Sequence, residues 1–151
     1  MIKININSTF VSVFGIGYIP FASGTFGSIA GIFIGYIVYL INYHLIFLII
    51  PLLLILGIKA SNIYQKTTGE QDSSVIVIDE VVGQLIAMLT IMDNCLLILV
   101  SFLLFRFFDI FKPWPASYFD KHVKNGAGVM LDDVTAGIYT LLIISIIKLW
   151  I

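Results

Sequence analysis

Charge is what this chain lacks most. Between Lys3 and Lys59 there is no Asp, Glu, Lys or Arg, and charged residues make up only 11% of the 151 positions. Apolar residues make up 60%, against roughly 45–50% in soluble domains, and the mean hydropathy is +1.06. A soluble domain of this size cannot bury that much apolar surface, so the composition predicts an integral membrane protein. The single cysteine, Cys95, excludes a disulfide scaffold. There is no basic run and no interleaving of aromatic with basic residues, so no nucleic-acid partner is expected. The first ten residues hold one lysine and no small-residue cleavage site, so a cleaved signal peptide is not expected either. Length allows one domain, residues 1–151.

What the chain does have is a set of apolar runs separated by polar breaks. Residues 14–20, FGIGYIP, read as a turn-rich entry. Ser23, Thr25 and Ser28 offer cap hydroxyls to a helical run from about Phe26 to Ile41. Asn42, Tyr43 and His44 interrupt it, and a second run goes from Leu45 to about Ile58, with Lys59 closing it. Residues 59–74 are polar. A third run is VIVIDEVVGQLIAMLTIM, a fourth goes from Cys95 to about Phe108, and a fifth from Asp133 to Trp150. Several hold fewer apolar residues than the roughly 20 of a full crossing. The expected fold is therefore all-α: a bundle of about four to five short transmembrane helices with polar ends.

The breaks alternate in charge. Lys3, Lys59, Lys66, Arg106, Lys112, Lys121 and Lys124 fall on one side, and His44, Asp93 and Lys148 on the other. The positive-inside rule makes the first side cytoplasmic. Eight of the nine acids share it: Glu70, Asp72, Asp79, Glu80, Asp109, Asp120, Asp132 and Asp133. Loop anchoring enriches Lys and Arg but not acids, so that face has a further need for carboxylates.

Four groups stand out on it. Asp79-Glu80 precede Gly83 and Gln84 by one helical turn. Arg106 and Asp109 share a helix face at i and i+3. Lys112 stands before Pro113-Trp114-Pro115, and Asp132-Asp133 begin the last run. Asp79, Glu80, Asp109, Asp132 and Asp133 offer hard oxygen ligands of the kind Mg²⁺ takes together with phosphate oxygens. Arg106 and Lys112 offer phosphate-binding cations. Either acid pair alone is more often a helix cap than a ligand set, and Arg106 with Asp109 reads as a plain ion pair. Together, at membrane depth, they mark a site. Other phosphatase chemistries fail on residue supply. Cys95 is eleven positions from the only arginine, and a histidine-based lipid phosphatase needs more than one arginine.

Four stretches carry a family likeness: GIGYIPFASGTFGS, VIDEVVGQ, FRFFDIFKPWP and GAGVMLDDVTAG. In these the chain resembles phosphatidylglycerophosphatase A, a Mg²⁺-dependent lipid phosphatase of the bacterial inner membrane. Ser23 stands where the family usually has proline, and Asn125-Gly126-Ala127-Gly128 replaces a more glycine-rich turn. The resemblance implies hydrolysis of phosphatidylglycerophosphate, a phospholipid substrate in the bilayer, to phosphatidylglycerol and phosphate at the cytoplasmic face. The five acids would hold one or two Mg²⁺, and Arg106 and Lys112 would meet the phosphate. A water nucleophile and an aspartyl-phosphate intermediate both remain open. The competing classes are a small membrane transporter and a structural membrane subunit. A transporter would place charges at mid-bilayer within two similar halves, which this sequence does not show, and a structural subunit leaves the acids without a task.

Overall fold

The structure is a computed structural model that describes residues 6–70 and 73–150. Lys3 and Asp72, both assigned above to the charged face, lie outside the described residues. Those residues are helical, with no strand among them. In chain order the helices are α1 (Ile6–Val11), α2 (Ser23–Asn42), α3 (Ile46–Thr68), α4 (Ile78–Ala87), α5 (Cys95–Phe111), α6 (Ala116–His122) and α7 (Gly126–Leu149).

Close contacts give the direction of each helix. Gly24 of α2 lies against Glu80 of α4, and Gly35 lies against Leu85 and Met88, so α2 and α4 run parallel. Gly57 of α3 lies against Ile78, whereas Tyr43, just before α3, bonds the Leu89 carbonyl at 3.0 Å; α3 therefore runs back. Gln84 donates to Ser101, and Arg106 reaches Gly24, so α5 also runs back. Gly137 of α7 meets Gly83, and Thr90 meets Ser145 at 3.3 Å, so α7 runs with α4. The result is an up-and-down arrangement around α4, of whose ten residues all but Glu80 are buried.

One end gathers the starts of α2, α4 and α7 and the finish of α3 and α5. The other holds Asn42–Leu45, the 88–94 turns and the end of α7. There Lys148 Nζ donates to the Thr90 carbonyl at 2.5 Å and lies 3.5 Å from Asp93. Among the described residues, two stretches are long and apolar enough to cross a membrane, Ser23–Thr68 and Gly126–Leu149. At 17 and 10 residues, α5 and α4 fall short of the roughly 20 needed.

Several expected boundaries move. The third run stops being helix at Ala87 and continues as turns, with the Leu89 and Thr90 carbonyls taken up by Tyr43 and Lys148. Lys59 does not close α3, which goes on to Thr68. Two of the three expected caps of α2 are otherwise engaged: its N-cap is Ala22, Ser23 Oγ donates to the Ser74 carbonyl at 2.9 Å, and Ser28 Oγ to that of Gly24 at 2.9 Å. The largest change is at α7. It starts at Gly126, capped by Asn125, whose Oδ1 accepts from the N–H groups of Ala127 and Gly128. Asp132 and Asp133 therefore sit almost two turns inside the helix, away from its free N–H groups, so the capping account of that pair is corrected.

Candidate active site

The close crossing of α4 and α7 builds the site. A Cβ on Gly83 would sit 2.7 Å from the Asp133 carbonyl and 2.5 Å from the Phe105 ring. A Cβ on Gly137 would run into the Gly83 backbone. One turn toward the site end stand Asp79 on α4 and Asp133 on α7, at i−4 from these glycines, on the same helix faces. The glycine contact thus brings the two carboxylates toward each other.

Asp79, Glu80 and Asp133 each present a carboxylate oxygen, all within 4.8 Å of one another. Two of their oxygens, Glu80 Oε2 and Asp133 Oδ2, are buried with no hydrogen-bond partner. A buried, unpartnered carboxylate oxygen costs several kcal/mol or more, so this trio calls for a cation. Ligand oxygens on opposite sides of a Mg²⁺ or Ca²⁺ ion lie roughly 4–5 Å apart, so these three residues fit a divalent metal.

The other two acids are already paired. Asp109 Oδ2 is 2.5 Å from Arg106 Nη1 on the same helix. Asp132 Oδ2 is 2.7 Å from Lys112 Nζ, which also holds Asp120 Oδ1 at 2.6 Å. Lys112 caps α5 in the left-handed region, φ 44°, before Pro113 turns the chain into α6. Burial alone would lower its pKa, but the hydrogen bonds and charges of Asp120 and Asp132 outweigh that and raise it above its ordinary value. Lys112 is therefore a fixed positive charge at neutral pH.

These groups line a cavity of about 130 Å³ at the charged end. Its wall includes Asp79, Glu80, Asp109, Lys112, Asp120, Lys124, Asp132 and Asp133, together with Ser73 and Ser74. Six of the seven residues singled out in the sequence line it. Arg106 does not: it lies behind Asp109, against Gly24 and 3.5 Å from Ser28 Oγ. Asp120 and Lys124, outside the four groups singled out in the sequence, also line the cavity. Proline followed by ASYFDKH, with Lys121 and His122 in the last turn, was the available signal for a short helix there.

A family model described as phosphatidylglycerophosphatase A matches residues 9–148. The chain belongs to the phosphatidylglycerophosphatase A family. A Haemophilus influenzae phosphatidylglycerophosphatase A is 43% identical over 141 residues, covering 91% of this chain and 85% of that protein. The Escherichia coli phosphatidylglycerophosphatase A is 34% identical over 126 residues, 83% of this chain and 73% of that one. A Bacteroides thetaiotaomicron protein named as a candidate phosphatidylinositol-3-phosphatase is 36% identical over 146 residues, 91% and 90% of the two chains. No solved structure matches this chain. Family membership makes the chain a lipid phosphatase, and the match spans every element that lines the cavity.

Proposed function

We propose that this protein hydrolyses the phosphomonoester of phosphatidylglycerophosphate, releasing phosphatidylglycerol and inorganic phosphate, with Mg²⁺ as cofactor. The observation that carries the reading is the trio Asp79, Glu80 and Asp133, gathered with unpartnered oxygens in the wall of a polar cavity. The names of the relatives support it. Two are phosphatidylglycerophosphatases, and the third name also describes a lipid whose polyol headgroup carries a phosphomonoester.

Asp79, Glu80 and Asp133 would hold the metal. A bound Mg²⁺ supplies neutralisation of phosphate charge and a lowered pKa for an attacking water. Asp109 and Asp132 stand beside the trio, held by Arg106 and Lys112. Lys112 uses two of its three N–H donors on carboxylates and has one left to offer the phosphate. Arg106 acts from behind the wall, holding Asp109 in orientation through their ion pair. The cavity faces the cytoplasm in this reading, because the end that holds it carries Lys59, Lys66, Arg106, Lys112, Lys121 and Lys124. The chain is a multi-pass protein of the bacterial inner membrane, with α4 short of full length but enclosed by its neighbours, and α5 short with one face turned outward.

Phosphate release by purified protein from phosphatidylglycerophosphate in detergent micelles tests the reading. Release should require Mg²⁺, stop with excess chelator and return on re-addition, with Ca²⁺ a poor substitute because it prefers larger, looser shells. Undiminished release in chelator, or none with Mg²⁺, would overturn it.

A further inference from the structure

Six carboxylates line the cavity against two lysines, and the two lysines are not equivalent. Lys112 is held between Asp120 and Asp132, so its charge is answered twice over. Lys124 Nζ donates only to a neutral acceptor, the main-chain carbonyl of Asp120, at 2.7 Å. Among the described residues no carboxylate pairs with it. It is exposed, at the mouth of the cavity rather than in its buried wall. The Asp120 carbonyl holds an uncompensated cation at the point where a headgroup enters.

The substrate proposed above has two phosphates. The terminal phosphomonoester is the one hydrolysed. The phosphodiester that joins the headgroup to the diacylglycerol lies one glycerol unit further out. When the monoester is at the buried acid trio, the diester is left toward the mouth. An anion there meets repulsion from Asp120 and Asp132 unless a cation offsets it.

Building on that functional reading, we propose that Lys124 binds the substrate's phosphodiester. It thereby selects lipids that carry a phosphomonoester on a polyol beyond a phosphodiester, over lipids whose only phosphate is the monoester. Lys124 acts on binding and specificity and takes no part in bond cleavage.

The test measures KM for phosphatidylglycerophosphate together with two inhibition constants. Inorganic phosphate reports on the monoester position. Phosphatidylglycerol, which has the diester and no monoester, reports on the outer position. Lys124→Gln should raise KM and weaken phosphatidylglycerol inhibition by about tenfold, acting through KM rather than kcat, while phosphate inhibition moves less than about threefold. The effect should shrink at high salt, as expected for an exposed charge. Lys124→Arg should restore most of it, and Lys121→Gln, which is outside the cavity wall, serves as the control. Equal weakening of both inhibitors, no weakening of either, or an unaltered protein that phosphatidylglycerol does not inhibit would each overturn the proposal. Absence of phosphate release by the unaltered protein is a different result and would overturn the functional reading itself.

Discussion

Five acids of similar sequence character fall into two physical classes once their partners are seen. Asp79, Glu80 and Asp133 face one another with oxygens to spare, whereas Asp109 and Asp132 each carry a cation. The distinction sets what each substitution should do. Lys112→Met strands Asp132, whose side chain is 8% exposed. The cost should be about 2 kcal/mol, between the limits for surface and buried pairs. Adding Asp132→Asn should recover part of that loss, which a double-mutant cycle on thermal stability in detergent would show. The raised pKa of Lys112 fixes the pH window. A lysine stabilised in its charged form contributes fully below its unfolded value near 10.4 and loses that contribution only as pH climbs through the folded value. Below about pH 10 the titration of Lys112 itself should thus add no step to stability, and thermal unfolding followed upward from pH 9 should show its contribution declining only beyond that value. The sequence made all seven charged residues legible as a group, because charge at membrane depth is rare. It could not sort them, since sorting depends on which helix faces which.

At the scale of elements, the glycine crossing of α4 and α7 sets the site geometry. Gly137→Ala adds a methyl that runs into the Gly83 backbone, so the helices must part. Overpacking of this kind costs about 1–3 kcal/mol. It should also separate Asp79 from Asp133, so phosphate release should fall by at least tenfold even in protein that still accumulates in the membrane. Leu142→Ala, on the exposed face of the same helix, should leave release within about twofold. The apolar runs announced the long helices, but the start of α7 was misread. Asn caps a helix as well as Asp does, yet in the sequence Asn125 reads as part of a turn and Asp132-Asp133 as the helix start. The choice is made by tertiary contact: Asn62 of α3 accepts from the Gly126 N–H at 2.8 Å, and a side chain at Gly126 would meet the α3 backbone. The short helix α6 escaped for a related reason. Seven residues are too few for a periodic apolar pattern, and it is held by tertiary bonds such as that from Lys112 to Asp120.

At the scale of the molecule, the up-and-down arrangement sorts charge to two ends and leaves apolar flanks between them. Phe33, Leu48, Leu103 and Leu142 are each more than half exposed on the outward faces of α2, α3, α5 and α7. Such a surface suits contact with lipid and is consistent with membrane association. The topology predicts that Lys66→Cys and Lys121→Cys, in a Cys95→Ser background, resist an impermeant thiol reagent in intact cells, while Asn42→Cys and Asn94→Cys react. Reaction of position 121 from outside would invert the orientation. This level was the most legible in the sequence, because the alternation of charged breaks survives even where helix ends shift by several residues. In the proposed function, phosphate release depends on a metal held by three acids at one end of the bundle, Asp79, Glu80 and Asp133. The most direct measurement is the rate of phosphate release from phosphatidylglycerophosphate by Asp79→Asn, Glu80→Gln and Asp133→Asn, across a range of Mg²⁺ concentrations, with Asp93→Asn as the reference. The account predicts losses on the order of a hundredfold or more for all three, not recovered at high Mg²⁺, in protein that still inserts and accumulates. Rates equal to that of Asp93→Asn, whose side chain pairs with Lys148 at the opposite end, would contradict it.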